Sequence, residues 1–187
     1  MKVLSLAIRP GADDGGSPHL TTASLTATYL ARVHRFAVMV SPRGTDPEDL
    51  AQQAMLKAIE HAGHFDARRG GLDAWLWRIV VNVARDAGRA ARRREFLLER
   101  VVGRIREASP AVSTEQIALE RLRDAELIDA VRRLPPRYRT VIALRYGGGL
   151  TSQDAAELMD TTRVAVAKTT RRALDMLRSD LTSENDI

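Results

Sequence analysis

Along most of the chain apolar residues recur every three or four positions, the spacing that gives a helix one buried face. Leu25, Tyr29, Val33, Phe36 and Val40 form the first stripe and predict a helix from about Ser24 to Val40, closed by Pro42, Gly44 and Thr45. Asp46-Pro47-Glu48-Asp49 reads as the next helix start. Asp46 can cap exposed amides, Pro47 suits the first helical position, and the acids face the positive end of the dipole. Leu50, Ala54, Ala58 and Ile59 carry the buried face that follows. Beyond a basic, glycine-containing loop over 65–72, a long helix is predicted from Asp73 to about Arg100. Its apolar row is Leu76, Ile79, Val80, Val83 and Ala87, and its polar row is Arg78, Asn82, Arg85, Arg89 and Arg92. Trp75 reads as core and Trp77, beside Arg78, as surface.

The periodicity lapses over 101–115, where Gly103, Ser109, Pro110 and Ser113 suggest an interdomain linker. Ser113 to Gln116 has capping-box spacing and opens a helix to Arg133, which Pro135-Pro136 breaks. A second helix from Pro136 to Tyr146 stops at Gly147-Gly148-Gly149. Thr151 to Asp154 is another capping box, starting a third helix from Ser152 to Met159. The turn Asp160-Thr161-Thr162 leads to the last, Arg163 to about Asp180. Thr162 is placed to cap it, and Val164 or Ala165, Val166, Ala173, Leu174 and Leu177 pack it down. A short helix, a tight turn and a longer basic helix make a helix-turn-helix. The expected fold is all-α, with two small helical domains joined by a flexible linker and the helix-turn-helix in the second. The stretch 1–22, with Pro10, Gly11, Gly15, Gly16 and Pro18, reads as a disordered tail, and the domains as 23–100 and 116–181.

The chain has 187 residues, of which 44% are hydrophobic and 4% aromatic, a balance that favours packed helices over strands. The net charge of +5 says little, but its distribution says more. From 66 to 106 there are eleven arginines against five acids. A row of like charges costs helix stability if it only faces water, whereas arginines can clamp phosphates. Trp75, Trp77 and Phe65 lie near them and can stack on unpaired bases, as single-strand binders require. The last helix, over 162–178, is net +4 and suits the major groove. By contrast 46–60 is net −3, a face for a protein partner rather than for DNA.

Catalytic and metal chemistry find no support. Cysteine is absent, and His19, His34, His61 and His64 have no ligand register. There is no phosphate loop and no nucleophile motif, so no enzymatic activity, metal or cofactor is expected. No run approaches the roughly 20 apolar residues of a membrane span. The apolar run Val3 to Ile8 is too short for a signal peptide, so a cytoplasmic protein without membrane insertion is expected.

At four places, in order and with matching separations over about 25–181, the residues resemble the extracytoplasmic-function sigma factors of bacterial RNA polymerase. Asp46-Pro47-Glu48-Asp49-Leu50-Ala51-Gln52-Gln53 is similar to an acidic signature of that family, with Pro47 where alanine is usual. Ala74-Trp75-Leu76-Trp77-Arg78-Ile79-Val80-Val81-Asn82 is similar to its a-W-L-y-r-I-a-x-N run. Leu134-Pro135-Pro136-Arg137-Tyr138-Arg139, Leu144-Arg145-Tyr146 and Leu150-Thr151 resemble the landmarks of its second domain, and Arg172-Ala173 those of its end.

The resemblance implies roles. Glu48, Asp49, Gln52, Gln53 and Leu56 would bind core polymerase, through its β′ subunit, with β as a further contact. Phe65, Ile79 and Asn82 would line a pocket for a base flipped from the −10 element, with Trp77, Arg78, Arg85 and Arg89 along the strand. Thr162, Arg163, Lys168, Arg171 and Arg172 would read the −35 element as duplex. Ala165 and Ala167 stand where the family often has polar or basic residues, implying altered −35 contacts. An anti-sigma factor is a further implied partner. The competing reading is a dimeric helix-turn-helix regulator that binds duplex DNA without the polymerase.

Overall fold

Thr21 opens the first helix with a capping box: its hydroxyl accepts from the Ser24 amide, and the Ser24 hydroxyl accepts from the Thr21 amide, both at 3.1 Å. The computed structural model describes residues 21–101 and 117–184, and among these every regular element is a helix. The helices are α1 (Thr22–Val40), α2 (Pro47–His61), α3 (Leu72–Val101), α4 (Ile117–Arg133), α5 (Pro136–Ile142), α6 (Ser152–Leu158) and α7 (Arg163–Glu184). Two 3₁₀ turns, Ala62–His64 and Ala67–Arg69, bridge α2 and α3. The predicted tail up to residue 20, the linker over 102–115 and the cap from Ser113 to Gln116 lie outside the described residues.

The start signals act as their chemistry requires. Asp46 accepts from the Glu48 amide at 2.9 Å, with Pro47 opening α2. Thr151 and Asp154 close the capping box of α6. The α6–α7 turn is closed by Asp160 in the left-handed region, φ +52°, which a short polar side chain tolerates.

The two halves share a core. Leu25, Tyr29, Val33 and Phe36 of α1 and Leu50, Ala54 and Ala58 of α2 pack with Leu76 and Val80 of α3, and the same cluster continues into Val141, Leu144, Ala155 and Val166. A second cluster, Ala130, Val131, Leu134, Ile142, Ala173 and Leu177, ties α4 and α5 to α7.

The expectation for the tryptophans is reversed. Trp77, expected at the surface, is fully buried (0% exposed), while Trp75 is only half-buried. The reason is a second apolar stripe on α3. Trp77 and Val81 are buried, and Ala84 packs on the same core; Trp77 meets Gly148 of the carboxy-terminal half, whereas Leu76, Val80 and Val83 serve the first stripe. Phe36 meets the Trp77 indole edge-on at 5.5 Å, and the Arg32 guanidinium lies 5.6 Å from the ring centre.

The glycine triplet does more than stop a helix. Only Gly149, at φ +69°, supplies the left-handed residue that a stop needs. The chain leaves α5 through a π turn, Ala143–Gly147, closed by the Gly148 amide on the Ala143 carbonyl at 2.8 Å. That turn presses glycines onto the other half. A Cβ on Gly147 would lie 3.0 Å from the Phe36 nitrogen, and one on Gly148 would lie 2.7 Å from the Trp77 ring and 2.9 Å from the Leu144 oxygen. Arg32 Nε donates to the Gly148 carbonyl at 2.8 Å, and Arg132 Nε to the Val38 carbonyl at 3.0 Å. The absence of side chains at 147 and 148 thus permits a backbone-to-helix approach that hydrogen bonds then fix.

Candidate nucleic-acid and polymerase interfaces

With both apolar stripes of α3 occupied, a narrow polar face is left. Arg78, Asn82, Arg85 and Arg89 are all exposed on it, as their spacing predicts. The side chains of Arg78 and Asn82 make no hydrogen bond or ion pair among the described residues, so their donors are available. Arg85 reaches instead to the Leu158 carbonyl of α6 at 3.3 Å, and Arg89 pairs with Asp86. Trp77 does not belong to this face, because burial denies it any strand to stack on.

Phe65 is half-buried and meets Trp75 edge-on at 5.5 Å. Trp75, Ile79 and Asn82 follow one another at steps of four and three, so they share a side of α3. Phe65 thereby sits at the head of a row that runs from aromatic through half-buried Ile79 to the exposed amide of Asn82. Such a row offers stacking surface at one end and hydrogen-bond groups at the other. Trp75, and not the buried Trp77, is the tryptophan in that row.

The start of α3 is anchored by groups that no motif announced. The Tyr29 hydroxyl donates to Asp73, and Arg32 bridges Asp73 at 3.3 Å. Burial pushes the Tyr29 phenol well above its ordinary pKa, and the Asp73 carboxylate adds to the rise, so it stays a donor. In the second half Arg139 is held below the usual arginine range by burial and by the nearby charges of Arg132, Arg43 and Arg92, and it donates to the Arg132 carbonyl at 3.0 Å.

On α2 the outer face is Glu48, Asp49, Gln52, Gln53 and Leu56, all exposed, with Gln52 donating to Glu48 at 3.3 Å. Leu56 is 58% exposed amid this acidic and amide surface, a small apolar centre with a polar rim.

On α7 the Thr162 hydroxyl accepts from the Ala165 amide at 3.1 Å, as its capping role requires. Arg163, Lys168, Arg171 and Arg172 point outward, while Val166, Thr169, Ala173 and Leu177 point inward. Of the pair offered as packing residues, Ala165 is half-buried and Val164 is 73% exposed, so Val164 does not pack the helix down. The helical register that buries Val166 turns Val164 away. No helix among the described residues is long and apolar enough to cross a membrane.

Comparisons with known proteins follow the same division. The family model for Sigma-70 region 2 matches residues 25–94, and that for Sigma-70 region 4 matches residues 124–177. The chain is 33% identical over 150 residues to the ECF RNA polymerase sigma factor BldN of Streptomyces coelicolor, spanning 80% of this chain and 56% of that one. It is 30% identical over 153 residues to the RNA polymerase sigma-E factor of Streptomyces avermitilis, spanning 81% and 79%. Among solved structures it resembles the sigma factor RpoE in complex with the anti-sigma factor NepR from Bartonella quintana, with a TM-score of 0.65 and 22% identity over 86% of this chain and 96% of that one. It also resembles CnrH in complex with the cytosolic domain of CnrY, with a TM-score of 0.61 and 23% identity over 87% and 88%. At these identities the likeness to solved structures is one of fold.

Proposed function

Because the chain belongs to the extracytoplasmic-function group of RNA polymerase sigma factors, we propose that it binds core polymerase and directs initiation at promoters with matched −35 and −10 elements. The observation that carries this reading is the segregation of three faces on one chain. The acidic, apolar-centred outer face of α2 suits a protein partner, the Arg/Asn face of α3 an unpaired strand, and the cationic face of α7 a duplex. On α3 we assign Asn82, Ile79 and Phe65 to the captured −10 base, Arg78, Arg85 and Arg89 to the strand around it, and no role to Trp77. The chain would perform no chemistry of its own. It would lower the cost of strand opening by binding the opened form.

This reading requires the two halves to part. Elements about 25 base pairs apart are separated by roughly 85 Å of duplex at 3.4 Å per pair. In the structure the end of α6 touches α3, with Arg85 3.3 Å from the Leu158 carbonyl. A protein in this arrangement cannot reach both elements, so it is the form off the promoter. The buried Trp77 Nε1–H, without a hydrogen-bond partner among the described residues, is a cost of closing that opening relieves. Regulation by an anti-sigma partner fits a protein with such a closed form.

Core binding tests the reading first. Leu56→Asp is expected to weaken co-migration with core polymerase by about tenfold or more, as loss of an apolar interface centre should. Its melting temperature should stay unchanged, since Leu56 is 58% exposed. Undiminished binding would remove α2 from the interface. A dimeric duplex-binding regulator is not favoured, because the region 2 match over 25–94 accounts for the half that such a regulator would use as an effector domain.

A further inference from the structure

The first turn of α7 presents apolar side chains to solvent where the rest of its outer face is cationic. Val164 is 73% exposed, whereas Val166, two residues on, is 1% exposed. The outer row therefore runs Val164, Ala167, Lys168, Arg171, all exposed, at steps of three, one and three. Nothing in the fold calls for the valine. A β-branched residue is a poorer helix former than alanine, and here it packs on no core. Lone exposed apolar residues are ordinary on protein surfaces. Here, however, two lie one turn apart, at the end of a recognition helix that meets base edges, with Arg163, Lys168, Arg171 and Arg172 around them.

That surround commits the occupant. A cationic rim about a small apolar tip fits a polyanion that displays methyl groups between its phosphates. In the duplex major groove only thymine does so, through its C5-methyl. Resting on the promoter reading above, we propose that Val164, together with Ala167, reads thymine methyl groups in the −35 element. Thymine recognition there is by apolar contact, and Lys168, Arg171 and Arg172 supply phosphate and purine contacts around it. The alanine at 167 is then part of the readout, since a longer side chain would keep the backbone away from the methyl.

The test uses wild-type holoenzyme, reconstituted with core polymerase, on a promoter at which it initiates. Each −35 thymine is replaced singly by deoxyuridine, which lacks only the C5-methyl, and affinity is measured for wild type, Val164→Ser and Val164→Ile. At one or two positions deoxyuridine should weaken wild type by roughly three- to fivefold, about the worth of one buried methyl group. Val164→Ser should lose a similar factor on the thymine duplex and show no further loss on deoxyuridine. Val164→Ile should keep the discrimination. Indifference of wild type to every deoxyuridine, or losses that simply multiply in Val164→Ser, would overturn the proposal. So would a Val164→Ser defect equal on all duplexes, which would assign the valine to a protein contact. A failure of the promoter reading itself looks different: wild-type holoenzyme would not initiate even on the unmodified duplex.

Discussion

Replacing Trp77 with Ala is expected to lower the free energy of unfolding by about 3–5 kcal/mol, the usual cost of removing a large aromatic from a packed core. The indole is fully buried between Phe36 of α1 and Gly148 of the carboxy-terminal half, so its loss opens a cavity at the seam between the two halves. Urea unfolding of the purified protein checks this. A surface tryptophan waiting for a DNA base would give a change within about 0.5 kcal/mol, with the whole defect appearing in promoter opening. A second readout separates the halves from the whole. In a Trp75→Phe background with fluorotryptophan incorporated into this protein alone, the fluorine resonance reports Trp77 against the unlabelled tryptophans of the polymerase, and it should shift if core polymerase draws the halves apart.

The largest expected effect on function belongs to the polar face of α3. Changing Arg78, Asn82 and Arg85 together to Ala should reduce open-complex formation by about a hundredfold or more, given roughly 1–3 kcal/mol for a good base contact and a further loss for each phosphate contact. Core binding should be retained, because α2 is untouched. Stability should change little, since all three side chains are exposed. The salt dependence of promoter binding should flatten by roughly one to two in log–log slope, the signature of two lost phosphate contacts. Arg85 carries a twist that makes it separable from Arg78. Its guanidinium is held by the Leu158 carbonyl, so on the proposed reading Arg85→Ala alone would remove a strand contact and a clasp of the closed form together. Unchanged initiation by the triple variant would mean that this basic face is merely solvated.

Helix content, caps and the basic helix-turn-helix were legible in the sequence because each rests on local chemistry. Asp46, Thr151 and Thr162 act within three residues of themselves, and their bonds are where the spacing puts them. What was not legible depends on contacts distant in sequence. A helix with two buried stripes looks like a helix with one until its second partner is known, and that partner to Trp77 is a glycine 71 residues further on. The same blindness made Gly147 and Gly148 read as helix punctuation, when their missing side chains admit α1 and the indole. Tyr29 and Asp73, 44 residues apart, carried no signal that they would meet. A sign was present at Val81 and Ala84, apolar residues outside the single stripe assigned to α3, and at Val164, apolar in a row of cations.

The candidate sites divide the same way. Exposure of Arg78, Asn82, Arg163, Lys168, Arg171 and Arg172 follows from helical spacing alone, and it holds. Trp77 is buried beside exposed Arg78 because consecutive helix residues point about 100° apart, so neighbours in sequence are not neighbours on one face. The replacement, Trp75 against Phe65, lies on the side of α3 that Ile79 and Asn82 continue.

The most direct test is to map transcript 5′ ends made on genomic DNA by core RNA polymerase with and without this protein. Promoter-directing activity predicts a set of starts that appears only with the protein, sharing one −10 and one −35 sequence at fixed spacing. No new starts, with no binding to core polymerase in the same reactions, would contradict it.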